Sequence, residues 1–153
     1  MEDRFMDVAK NKKARFEYEI LETIEAGIVL KGTEVKSVRQ KKVSIQESYA
    51  RIKDGEAYII GMTISPYEMG NQFNHEPARE RKLLLHRQEL KRLTGKLKEK
   101  GLTLVPLKIY FKNGKVKILL GLGKGKTTYD KRKTIQKREA DRELQRAVKR
   151  ELK

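Results

Sequence analysis

Apolar residues along this chain recur mostly at alternate positions, in short runs separated by turn residues. Phe16, Tyr18 and Ile20 alternate with glutamates, the period-two pattern of a strand with one buried face. Ala26–Lys31, with Ile28, Val29 and Leu30, predicts a second strand ending at Gly32. Ser48–Ile52 and Ala57–Ile64 predict a hairpin around Asp54-Gly55, and Leu104–Lys112 and Lys115–Leu122 another around Asn113-Gly114. Both dipeptides supply the positive-φ residues that tight hairpins need. Leu83-Leu84-Leu85 predicts a short strand or a helix start. Helical spacing shows in two places. Thr33–Arg39 puts Val35 and Val38 on one face, with Thr33 placed to cap. Leu90, Leu93 and Leu97 mark a second helix, weakened by Gly95 and closed by Gly101. Residues 1–15 stay polar and end in the basic run Lys10-Asn11-Lys12-Lys13-Ala14-Arg15. Ser65–Pro77 is a loop punctuated by Pro66, Gly70, Asn71, Asn74 and Pro77.

Five or six short strands with two or three short helices, and no βαβ rhythm, predict a mainly β fold. The expected form is a small antiparallel barrel of the oligonucleotide-binding (OB) type with helices at its ends. At 153 residues the chain supplies one modest core, which we place in residues 1–123. Residues 124–153 contain no run that fills a core and form a basic tail. Written as a helix, the tail carries Arg138, Arg142, Arg146 and Arg150 in one row. Ala140, Leu144, Val148 and Leu152 form a second row roughly 200° around the axis. Like charges at i,i+4 oppose an isolated helix by about 0.2–0.5 kcal/mol per pair. The tail is therefore expected to be disordered in the free chain and helical once phosphates neutralise the arginines.

Charge narrows the partner. Lys and Arg number 37 against 21 Asp and Glu, a formal +16, and the tail alone holds 12 against 5. Such an excess calls for a polyanion, nucleic acid first. A membrane surface fits poorly, because the apolar strip of the tail is thin and lacks Trp or Phe anchors. No apolar run reaches the roughly 18 residues of a span, and Met1-Glu2-Asp3-Arg4 is not a signal-peptide start. Absence of cysteine suits a reducing cytoplasm. The basic arm Lys10, Lys12, Lys13 and Arg15, the pair Lys36 and Arg39, and the cluster Arg79, Arg81 and Lys82 are candidate RNA contacts, with Asn74 in the adjoining loop. Nine Lys/Arg against three Glu fall between residues 79 and 100, most of them on the second helix. Glu34 sits among cations after the Gly32 turn, where a carboxylate accepts from a base edge or a ribose hydroxyl as readily as it caps a helix.

Catalytic signatures fall short. Gly125-Lys126-Thr127 ends like a phosphate-cradling P-loop, but the required earlier glycine is Leu120. His75 and His86 are the only histidines, with no cysteine beside them, so neither a metal nor any other cofactor is expected. What remains is a flexible, lysine-studded exit, Gly123–Lys126, where glycines let backbone N–H groups approach phosphate. Candidate stacking aromatics are Phe16, Tyr18, Tyr49, Tyr58, Tyr67, Phe73, Tyr110, Phe111 and Tyr129, of which Tyr129 alone lies outside the barrel.

Several strings together resemble the small protein B family, the bacterial SsrA-binding proteins: Asn11-Lys-Lys-Ala-Arg15, Glu25-Ala-Gly-Ile-Val-Leu-Lys-Gly-Thr-Glu-Val-Lys-Ser-Val-Arg39, Arg81-Lys-Leu-Leu-Leu-His86, Gly125-Lys126 and Asp130-Lys-Arg132. The resemblance implies a non-enzymatic monomer whose barrel binds the tRNA-like domain of transfer-messenger RNA. It also implies a tail that folds in the decoding centre and empty mRNA channel of the stalled 70S ribosome, against 16S ribosomal RNA. Elongation factor Tu would join through the charged RNA, and the outcome is trans-translation, ribosome rescue with a degradation tag. Matched by position, Asn11, Glu34, Lys124 and Gly125 fall at RNA-contact positions, and Asp130, Lys131 and Arg132 at the tail motif; the adjoining Lys126 is a further candidate RNA contact. Lys133, Lys137, Arg138, Arg142, Arg146 and Arg150 continue the tail's basic surface. Phe16 and Tyr129 stand where many relatives have His, and Ala140 where some have Trp, which leaves Leu144 and Val148 more of the apolar contact. Rival readings are a generic ribosome-associated OB protein and an RNA-processing enzyme using Glu34 or Asp130 as a metal carboxylate.

Overall fold

Two long strands joined by the tightest predicted turn frame the molecule. In a computed structural model describing residues 4–69, 74–99 and 101–151, β8 (Leu102–Lys112) and β9 (Lys115–Gly125) fold back about Asn113-Gly114 at φ 51° and 79°. The elements before them are β1 (Phe5–Lys10), α1 (Lys12–Glu17), β2 (Tyr18–Ile28), α2 (Gly32–Arg39) and β3 (Val43–Ser44). There follow β4 (Tyr49–Lys53), β5 (Glu56–Ile60), β6 (Thr63–Ile64), β7 (Arg81–Leu84) and α3 (Arg87–Leu97), and after β9 the tail helix α4 (Thr128–Glu151). All pairings are antiparallel. They run β8-β4-β5-β7-β2-β9 and return from β9 to β8, a closed ring of six strands, with β1 added on β8.

Alternation decides what the ring encloses. Ile24 and Ala26, Leu104, Ile109, Ile118 and Leu120 point inward and are buried, joined by Ile59 and Leu83. Val38 of α2 and Leu93 of α3 are fully buried against the same core, with Val35 and with Leu90 and Leu97 packed beside them, so each short helix covers part of it. A smaller cluster lies outside the ring, where Ala14 of α1 packs on Val105 and Leu107, flanked by Tyr18, Ile20 and Leu119.

The hairpins, α2 and α3 occur where their spacing placed them, and three differences have physical causes. Residues expected to form only a basic arm make β1 and α1, and Phe16 is helical rather than extended because Asn11 caps the helix, its Oδ1 accepting from Ala14 N at 3.1 Å. The expected strand Ala57–Ile64 breaks at Gly61, whose φ of 84° turns the chain so that β6 pairs with β3 in a separate ribbon. Gly123 is no flexible exit. It is an internal strand position buried beside Tyr18, and β9 continues to Gly125. The tail is one continuous helix, Thr128–Glu151. Its Arg, Lys, Gln, Glu and Ala content favours helix, and Thr127 and Asp130 cap its start. None of its residues is buried. Gly70, Asn71, Phe73, Lys100 and Leu152, named above, lie outside the described residues.

A Cβ at Gly123 would fall 2.8 Å from Tyr18 Cβ and 3.2 Å from its Cγ. Gly123→Ala is therefore expected to lower stability by about 1–3 kcal/mol through overpacking. Urea denaturation monitored by circular dichroism checks this, and an unchanged midpoint would remove the packing role.

Candidate nucleic-acid interface

Asn11 positions the first set of cations. It is buried, its backbone N–H donates to Leu107 O at 2.8 Å, and its amide donates to Pro106 O at 2.9 Å. The side chain thus faces inward, and its contribution to any RNA surface is to hold α1, from which Lys12, Lys13 and Arg15 project exposed, with Lys10 just before. Lys13 is engaged by Glu47 at 2.8 Å and Glu17 at 3.8 Å, and the hydrogen bond to Glu47 holds its ammonium above the usual lysine range.

Glu34 and Arg81 are a buried pair, not a surface reader. Both side chains have no exposure. Arg81 Nε donates to Glu34 Oε2 at 2.6 Å, and its other nitrogens reach Met62 O at 2.7 Å and Pro77 O at 3.0 Å. Arg79 closes on the other carboxylate oxygen, and Lys31 N donates there at 2.8 Å. Burial pushes the Glu34 carboxyl up, but the Lys31 N–H and the two guanidiniums outweigh it and hold it below the usual carboxylate range. The sequence could not separate a buried carboxylate from an exposed one: Glu34, expected to accept from a base edge or ribose hydroxyl, and Arg81, expected to touch RNA, both lie inside the fold. The network ties α2 to the loop before β7. Asn74 staples the same loop through Tyr67 N at 3.1 Å and Tyr67 O, and His75 joins it to Thr33 at 2.9 Å. Lys36, Arg39 and half-exposed Arg79 lie at the surface around this network, and Lys82 pairs with Glu56 at 3.2 Å.

The tail root meets α1. Lys126 N donates to Glu17 O at 2.8 Å, and its ammonium spans Arg15 O at 3.1 Å and Thr134 Oγ1 at 2.8 Å. Lys131 and Arg138 lie 5.8 and 5.6 Å from the Phe16 ring centroid, within cation–π range. Lys124 and Gly125 are exposed beside them. Tyr129 is 65 % exposed with Lys133 Nζ 4.6 Å from its ring centre. Asp130 is held below the usual range by the Thr127 hydroxyl. Beyond this turn Arg132, Lys137, Arg142, Arg146 and Arg150 are exposed, as are Leu144 and Val148. Of the other aromatics, Tyr110 and Phe111 are buried in the barrel wall, and Tyr49 is exposed.

One patch escaped the sequence reading. At the end of the barrel opposite the tail, where Gly27 pairs with Lys117, a groove of about 280 Å³ runs between Leu84, Val35, Val116, Lys115 and Lys117. Leu84 is exposed there. Glu25 is close by, accepting from Tyr110 Oη and from Lys112 Nζ at 3.3 Å. The Tyr110 hydroxyl is the main cause of a Glu25 carboxyl below its usual range, while burial and then Glu25 push the phenol up. Only the exposed middle leucine of Leu83-Leu84-Leu85 signalled the patch, and exposure is not visible in sequence.

Because the Glu34 carboxyl is lowered on folding, its ionised form stabilises the fold above the ordinary value of about 4.3. That contribution is lost as pH falls through the lower folded value. Glu34→Gln leaves Arg81 buried without its counter-charge and is expected to cost about 3–5 kcal/mol at pH 7. Denaturation series from pH 7 downward should show the gap to wild type closing in acid, and a pH-independent gap would contradict the ionic role.

No described helix is long and apolar enough to cross a membrane. The sequence profile described as SmpB protein matches residues 8–150. The SsrA-binding protein of Acetivibrio thermocellus is 63 % identical over 142 residues, 93 % of this chain and 92 % of that protein. That of Desulforudis audaxviator is 60 % identical over 141 residues, covering 92 % of each. A chain solved in "tmRNA-SmpB: a journey to the center of the bacterial ribosome" superposes with TM-score 0.66 at 55 % identity, covering 83 % of this chain and 93 % of that one. Fold, strings and relatives agree across nearly the whole length, and the chain belongs to the SmpB family.

Proposed function

We propose that this chain is a two-part RNA adaptor for trans-translation. Its ring of strands, ending with β9 at Gly125, binds the tRNA-like domain of transfer-messenger RNA, and the tail beyond Thr127 enters the stalled ribosome. The observation that carries this reading is the division of its charge. In the barrel, cations stand on rigid elements fixed by Asn11 and by the Glu34–Arg81 pair. In the tail, a row of arginines stands on a helix that buries nothing in its own protein. Fixed cations suit a folded RNA of one shape, and an unburied cationic helix suits a groove walled by phosphate.

Lys12, Arg15, Lys36, Arg39, Arg79 and Lys124 are the barrel's exposed or half-exposed candidates. The groove around Leu84 adds an aliphatic floor for a ribose or base, with Lys115 and Lys117 placed for phosphates. Beyond the root, Tyr129 offers a stacking face, and Leu144 with Val148 supply the apolar row for 16S ribosomal RNA or protein in the mRNA channel. Elongation factor Tu would be met through the charged RNA. The role requires no bond to be made or broken by this chain, which acts in the cytoplasm as a monomer. The relatives' name, SsrA-binding protein, supports the RNA partner, and the ribosome named with the solved relative supports the second.

A chain ending at Thr127 is expected to keep its affinity for the tRNA-like fragment within about threefold and to lose tagging on stalled ribosomes. Affinity of both forms should fall steeply with salt. Filter binding and an in vitro tagging assay measure the two. Loss of fragment binding on truncation would contradict the division of labour.

A further inference from the structure

Beside α1, on the outer wall of the barrel, lies a cavity of about 260 Å³ that the interface described so far does not use. Ala14 and Val105 form its floor, and Tyr18 and Tyr49 contribute aromatic surface. The backbone brings both rings there. Ala50 points into the core opposite Leu104, so its strand neighbour Tyr49 projects outward, 44 % exposed. Gly123 lacks the Cβ that would collide with Tyr18, and its pairing partner Thr103 lines the cavity. Tyr18 therefore lies across β9 at the place where Thr103 faces out.

Two carboxylates stand at the rim, and the Gln46 amide and Thr103 hydroxyl line the cavity beside them. Glu17 and Glu47 present carboxylates, and the Ser48 hydroxyl is already spent donating to Ile45 O at 2.6 Å. Lys13, bridging the two glutamates, stands half-exposed at the rim. The cavity is smaller than the roughly 300–1,000 Å³ of drug-sized ligand sites, which limits it to a single ring system. Tyrosine faces favour a nucleobase by stacking. Carboxylates accept two adjacent donors, and guanine offers them as N1–H and the 2-amino group. Uracil presents two carbonyl oxygens on that edge, which carboxylates repel.

We propose that this cavity is a base pocket taking one unstacked guanine of a bound RNA. The ring rests against Tyr18 and Tyr49, the Watson–Crick edge lies on Glu17 and Glu47, and Lys13 meets the adjoining phosphate. The proposal rests on the RNA-binding reading and adds a specific nucleotide to it. Its position matters because Glu17 O also holds Lys126 N at 2.8 Å. A base in the pocket sits at the joint between barrel and tail.

Two arms test it on the full chain. In the first, millimolar GMP is added to ¹⁵N-labelled protein and should shift the amides of Tyr49 and Thr103, with UMP shifting them far less. In the second, Tyr49→Ala should weaken binding by about five- to 150-fold to either the tRNA-like fragment or a 16S decoding-region hairpin, with Tyr49→Phe near wild type. Whichever RNA loses affinity is the source of the guanine. Absence of the GMP shift overturns the pocket, and so does unchanged affinity of Tyr49→Ala for both RNAs. If wild type bound neither RNA, the adaptor reading would fail instead, and the GMP arm would still report on the cavity.

Discussion

One buried amide holds together the part of the molecule on which the rest depends. Strand β8 shares one edge between β4, which meets it at Leu104, and β1, which meets it from Lys108 onward. Between them the carbonyls of Pro106 and Leu107 would be left without donors, and a buried unsatisfied carbonyl costs about 1–3 kcal/mol. Asn11 fills the gap with its backbone N–H and its side-chain amide, and the same side chain caps α1. A single residue thus ends β1, starts α1 and completes the edge of β8. Without it, the helix bearing Lys12, Lys13, Arg15 and Phe16 has no fixed origin.

From that junction the geometry passes outward to function. Helix α1 rests on Val105 and Leu107, and its last turn receives Lys126 and the first turns of α4. These contacts are polar or cation–π, each weak and solvent-accessible. The tail is therefore attached to the barrel at one end and committed to nothing else in its own protein. A cationic helix with no buried residue has its binding free energy still to gain from a polyanionic partner. The Glu34–Arg81 pair does the converse at α2. It buries its charge to fix a loop and leaves Lys36, Arg39 and Arg79 standing at the surface.

Much of this was legible in the sequence, because period-two alternation and Asn-Gly or Asp-Gly turns are local signals. The hairpins 49–60 and 102–125, α2 and α3 were readable for that reason. What was not readable depends on contacts far apart in the chain. The resemblance put Asn11 at an RNA-contact position, while its inward partners, Ile45 and Pro106, lie 34 and 95 residues away and left no local signal. Gly123 looked like part of a flexible exit because Tyr18 and Ile20, which press on it, belong to another strand. Glu34 looked available beside Lys36 and Arg39, but its partners Arg79 and Arg81 lie 45 and 47 residues away. The groove at Leu84 gave almost no local signal, since β2, β7 and the β8–β9 turn build it together.

The central claim is that one chain divides two RNAs between barrel and tail. Ultraviolet crosslinking of the full chain in a bacterial lysate containing stalled ribosomes, followed by mapping of crosslinked residues and RNAs, tests it most directly. The account predicts transfer-messenger RNA on the ring of strands, up to Gly125, and 16S ribosomal RNA beyond Thr127. Crosslinks to one RNA along the whole chain, or to unrelated single strands, would contradict it.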